Sequence, residues 1–204
     1  NNMRFGRKVV ITGVGACTSL GHDFQTIARS LREERTAFAA AGSGFSCPEQ
    51  AVCPTRDLGN DPALARFQSW RHRRYLSRGA TFAALAGLRA AQSAGFGNAL
   101  PPETSLISAA GPTLDIEADF PTPIETLDHS RLDALWLLRW LPNTAATATS
   151  RFLGIHGECL VVGTACAASL HALGEAYRRV RFGIADTVLV IAGDSRISQG
   201  GLLG

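Results

Sequence analysis

The residue whose setting suggests chemistry is Cys166, within "ECLVVGTACAASLHALGEAYRRV", residues 158–180. An apolar, β-branched run stops at a small-residue turn, the cysteine follows at once, and a helical pattern begins. A residue at a strand-to-helix joint lies beside unpaired backbone N–H groups and the positive end of a helix dipole. That environment favours the thiolate, which is the nucleophilic form of cysteine. Gly163, Ala165, Ala167 and Ala168 are small, so they permit a tight turn and leave room for a substrate. The competing reading is that cysteine is a small, often buried residue that simply packs.

A cysteine nucleophile usually needs a base or an electrostatic partner. The chain offers His22, His72, His129, His156 and His171. His171 follows Cys166 by more than one helical turn, which puts it off the cysteine's face and makes it a structural helix residue. None of the others has a strand-end setting. "CPEQAVC" has the wrong spacing for a zinc knuckle and no matching second pair, so no metal site is expected. "GVGACTSLG" follows an apolar run and invites a dinucleotide reading through Gly13 and Gly15. The third glycine of that fingerprint would fall at Thr18, and no acidic residue ends a second strand at the right distance. A tight strand-to-helix turn is the better expectation there. In "WRHRRYLSRG", residues 70–79, five arginine or histidine residues gather at a helix start. They read either as a solvated helix end or as a docking patch for an acidic partner, with Trp70 and Tyr75 beside it.

These groups need elements to hold them. "KVVITGV", residues 8–14, reads as a buried strand. Helical patterns run from about Asp23 to Glu34 and over 73–94, the second with Tyr75, Gly79, Phe82 and Ala86 on one stripe. Residues 40–65 read as loop. Strands are expected at 104–111, 158–163 and 186–194. Helices are expected at 131–141 and 143–152, interrupted at Pro142, and at 166–182 with Leu170, Leu173, Tyr177 and Val180 as the apolar stripe. Strands that are continuous apolar runs alternating with helices predict an α/β fold, a mainly parallel sheet covered on both faces.

Bulk properties exclude several classes. A hydrophobic content of 46% with 18% charged residues is that of a folded chain, and 204 residues can bury a real core. The net charge of +3 gives no argument for nucleic acid. No apolar run approaches the roughly 20 residues of a membrane span, and the start lacks the apolar core of a signal peptide. Five cysteines, an odd number, are expected to be free thiols in a reducing cytoplasm.

Three segments in order resemble one family. "KVVITGVGACTSLG", "RRYLSRGATFAALAGLRAAQSAGF" and the stretch from "LPNTAATATSRFLG" through "GTACAASLHALGEAYRRV" to "DTVLVIAGD" are similar to the elongating β-ketoacyl-acyl-carrier-protein synthases of the thiolase superfamily. The resemblance implies a thiolase-like layered α-β-α-β-α fold, of which residues 1–204 are the N-terminal synthase domain without its C-terminal half. It implies an acyltransferase that performs decarboxylative Claisen condensation in fatty-acid or polyketide synthesis, with Cys166 as acyl acceptor. Ala165, Pro112 and Thr113 would line the substrate site, and Arg71 and Arg74 would dock the acyl carrier protein. No bound cofactor is implied, since phosphopantetheine arrives on the carrier. A homodimer, or a heterodimer with a related subunit, is expected.

The family's two histidines and lysine for decarboxylation come from a second half that these residues do not include, so the chain alone is expected to be inactive. "AAGPTLD", residues 109–115, departs from the family's glycine-rich segment and bears on which acyl chain is accepted. Two other readings remain: a non-catalytic partner subunit of the chain-length-factor kind, which usually lacks the cysteine, and a cysteine hydrolase, whose G-x-C-x-G elbow "TACAA" does not supply.

Overall fold

The computed structural model describes residues 6–55, 62–109, 136–198 and 201–202. Helix α1 (Phe24–Arg32) begins where the Asp23 carboxylate accepts from Thr26 N at 2.8 Å, capping an N–H that the helix cannot satisfy itself. A short antiparallel pair follows, β1 (Ala39–Ala40) with β2 (Ala51–Val52). Next come α2 (Pro62–Ser69), a 3-10 turn over Arg71–Tyr75 and α3 (Arg78–Ser93). The remaining elements are β3 (Ser105–Ala109), a 3-10 turn at Trp136–Arg139, α4 (Thr144–Leu153), β4 (Cys159–Val162), a 3-10 turn at Ala165–Ala167, α5 (Ala168–Arg181) and β5 (Val188–Ala192).

Strands β4, β3 and β5 pair in that order, all parallel, with Ile107 opposite Leu160 on one side and Val190 on the other. The central strand β3 is buried at every residue, its two serines, Ser105 and Ser108, included, as expected for a strand covered on both faces. Its side chains alternate between two cores. Leu106 joins Leu85, Leu88, Ala146, Leu153 and Ile191 beneath α3 and α4. Ile107 and Ala109 join Ala168, Ala172 and Ala176 beneath α5. The result is three layers, helix–sheet–helix.

Several expectations are corrected. Residues 8–14 form no strand: Val10 and Ile11 are 61% and 80% exposed, and no ladder partner is present among the described residues. The segment instead lies against α3, because Gly13 and Gly15 let two backbones touch. A Cβ on Gly13 would come 2.7 Å from Ala94 Cβ, and one on Gly15 would come 2.5 Å from Ala90 N. This close approach is what the Gly-x-Gly pattern supplies, and Arg89 secures it by donating to Ala16 O at 2.9 Å.

The helix expected over 73–94 is divided. Ser77 Oγ accepts from Ala80 N and starts α3 afresh. Its core face is Ala80, Ala84, Leu88 and Ala91 rather than the stripe through Phe82 and Ala86, because small residues bring the helix close to the sheet. On α5 the larger apolar residues likewise face away. Leu170, Leu173 and Tyr177 are 73%, 47% and 51% exposed, and the alanines meet the sheet. The loop expected at 40–65 also contains the β1–β2 pair and the start of α2. Residues 136–139 form a single 3-10 turn within the helix expected at 131–141, whose first residues lie outside the described set.

Candidate active site

Strand β4 ends at Val162, and Gly163–Ala167 is exposed throughout before the chain dives under α5 at Ala168. Cys166 is the middle residue of the 3-10 turn, exposed, at the joint between strand and helix. The turn closes through Ala167 N donating to Thr164 O at 3.1 Å. Ala165, just before the cysteine, has φ +48°. That left-handed conformation is disfavoured for a residue with a Cβ, and it falls at the bend immediately before the exposed Cys166. A Cβ at Gly163 would meet nothing within 4 Å, so the approach to the turn is open.

The anchoring lies below the turn. Arg179, only 9% exposed, pairs with Glu158 just before β4 and donates from Nε to Glu175 at 3.0 Å within α5. Glu158 leads into the strand that precedes Cys166 and Arg179 sits on the helix that follows it, so the two arms are tied at their far ends. The Glu175 carboxyl is held below the usual range, chiefly by its hydrogen bond to Arg178.

The predicted site residues are distributed unevenly. Ala165 and Cys166 are neighbours on the turn; Pro112 and Thr113 lie outside the described residues, as does His129. His171 and His156 are exposed, and His171 sits on α5 beyond the first turn. Among the other cysteines, burial pushes the Cys17 thiol up against an opposing pull from Arg89, and burial pushes Cys159 up as well. All five are free thiols. Among the described residues no cluster of His, Cys, Asp and Glu could hold a metal ion, and no helix is long and apolar enough to cross a membrane.

Arg71 and Arg74 part company. Arg74 lies over the Tyr75 ring at 4.8 Å and donates to its hydroxyl at 2.7 Å. Arg71 lines a pocket with Arg66, Ser69, Trp70, His72, Arg151 and Phe152. The sequence reading did not single out Arg66 or Arg151. They come from α2 and α4, far apart in the chain, and no local pattern links them.

Comparison with known proteins agrees with this architecture. Residues 6–204 match the family described as "Beta-ketoacyl synthase, N-terminal domain". The 3-oxoacyl-[acyl-carrier-protein] synthase 2 of Synechocystis sp. is 27% identical over 186 residues, 90% of this chain and 44% of its own length. The solved ishigamide ketosynthase/chain length factor superposes with a TM-score of 0.71 at 21% identity, covering 93% of this chain and 47% of that one. The type II polyketide ketosynthase AntDE, solved with the acyl carrier protein AntF, gives 0.66 at 20% identity over 93% and 51%. The chain thus spans about half the length of the relatives it matches. Its fold is the thiolase-like α/β arrangement of these ketosynthases, and the chain belongs to the β-ketoacyl synthase family through that family's N-terminal domain.

Proposed function

We propose that this domain supplies the acyl-accepting cysteine of a condensing acyltransferase that extends chains carried on acyl carrier protein. The observation that carries the reading is Cys166, exposed on the turn, just after Ala165, at the joint of β4 and α5. Attack of the Cys166 Sγ on an acyl thioester carbonyl forms the acyl-cysteine and releases the carrier thiol. Decarboxylation of a malonyl thioester yields carbon dioxide and a carbanion at the α-carbon. The carbanion attacks the acyl-cysteine, a carbon–carbon bond forms, and Sγ leaves as thiolate. The Cys166 backbone N–H would steady the oxyanion in both acyl transfers.

In this reading Ala165, Pro112 and Thr113 border the acyl chain, and Arg71 and Arg74 attract the acidic carrier. Phosphopantetheine enters on that carrier, with no resident cofactor. A homodimer, or pairing with a related subunit, and a cytoplasmic setting go with it. AntDE, solved with its carrier AntF, supports the partner by kinship of fold.

The test is incubation with an acyl-carrier thioester followed by peptide mass spectrometry. One acyl adduct is expected, on Cys166, and it should vanish in Cys166→Ala. Labelling at Cys17 or Cys159 instead would refute the assignment. A chain that takes no acyl group under any condition would favour the non-catalytic partner subunit.

A further inference from the structure

The pocket between α2, the Arg71–Tyr75 turn and the end of α4 does not include Cys166 or its turn. It is a solvent-open groove of about 480 Å³, within the roughly 300–1,000 Å³ of small-molecule sites. Trp70 and Phe152 form its aromatic wall, ring centroids 5.4 Å apart. Arg66 is fixed in place: its guanidinium lies 4.6 Å over Phe152, Nη2 donates to Phe152 O at 2.9 Å, and Nη1 donates to Asn98 O. Arg71 donates from Nε to His72 Nε2 at 3.2 Å. That bond needs a neutral imidazole. It leaves the terminal nitrogens of Arg71 without a partner among the described residues.

Arg151 forms no hydrogen bond or ion pair among the described residues, and no carboxylate lines the pocket. Three guanidinium groups therefore line one concavity: Arg66 is tied to backbone carbonyls, and the terminal nitrogens of Arg71 and Arg151 meet no partner among the described residues.

We propose that this pocket binds the diphosphate group of a small organic ligand of the nucleoside diphosphate kind. A single carboxylate would engage only one of the two available forks, Arg71 and Arg151, whereas a diphosphate ester brings charge and oxygens for both. Trp70 gives a flat apolar face for a ring carried on the same ligand. Arg151 and Phe152 are in the last turn of α4, toward the start of β4, while Cys166 follows the end of that strand. The ligand would sit at the opposite end of the strand from the nucleophile and would clamp α2 and the 71–75 turn to α4. This inference shares Arg71 with the carrier-docking reading and otherwise does not depend on the condensation chemistry.

The test is titration calorimetry and thermal unfolding of the chain with ADP, inorganic pyrophosphate and adenosine at low salt. ADP and pyrophosphate should bind at one site and raise the unfolding midpoint; adenosine should do neither. Arg151→Glu and Arg71→Glu place their changes on exposed side chains, so the folded spectrum should persist. Each should weaken ADP binding about tenfold or more, the loss of a charge-assisted bidentate pair. Absence of binding at millimolar ADP and pyrophosphate would overturn the proposal, as would ADP binding undiminished in Arg151→Glu. Binding of an acidic polypeptide such as polyglutamate, with none of either phosphate, would overturn it in favour of a protein partner.

Discussion

Replacing Ala165 by glycine should stabilise the protein and impair it at once. Ala165 sits at φ +48°, a conformation that costs an L-residue about 1–2 kcal/mol. Glycine adopts it freely but gives back about 0.5–1 kcal/mol through the greater entropy of its unfolded chain. The residue is exposed, so no packing is lost. The net gain is roughly 0.5–1 kcal/mol, read as a higher urea midpoint at unchanged slope. Acylation of Cys166 should move the other way. A turn with glycine before the nucleophile samples more directions, and displacement of a reacting atom by about 1 Å can cost up to 10²-fold in rate. Single-turnover acylation by mass spectrometry should therefore slow by about tenfold or more. Ala165→Val, a β-branched residue in the left-handed region, should lower the urea midpoint. A lower midpoint for Ala165→Gly would show that the backbone stores no strain, and undiminished acylation would show that the strain does not aim the sulfur.

Gly15→Ala would drive a Cβ into the backbone of α3, 2.5 Å from Ala90 N. A cost of roughly 1–3 kcal/mol is expected, with new proteolytic cleavage confined to the segment before α1. Leu88→Ala empties a site of zero exposure in the larger core and should cost about 2–5 kcal/mol by denaturant unfolding. The lowered Glu175 carboxyl makes the unfolded chain the better proton binder in acid. Its contribution is complete above the ordinary glutamate range and is lost as pH falls from about 4.5 through its folded value. Stability curves of wild type and Glu175→Gln should converge below that window; parallel curves down to the lowest pH would refute the linkage.

The three paired strands and the helices on either side were readable, because apolar runs broken by glycine and helical periodicity are local signals. The position of Cys166 on a strand-to-helix turn was readable for the same reason: strand, turn and helix are adjacent in the chain. What failed depended on distant partners. "KVVITG" has strand propensity but no pairing neighbour among the described residues, so its glycines, which looked like a turn, serve contact with α3 instead. The stripes on α3 and α5 were assigned by residue size. The sheet instead selected alanine, since distance of approach, not bulk, decides which face packs. The Arg66–Arg71–Arg151 pocket gathers residues from three elements and has no linear pattern. The positive φ at Ala165 was invisible because nothing in an alanine advertises it.

The strand order carries a consequence for synthesis. β3 is the central strand, yet both of its partners, at 159–162 and 188–192, are translated after it. At roughly 5–20 residues per second on the ribosome, Ser105–Ala109 emerges several seconds before its second ladder can form. Through that interval the most deeply buried strand of the sheet lacks its second mate. The nascent chain passes through a sticky stage that a chaperone, or slow codons placed after β5, would help it survive.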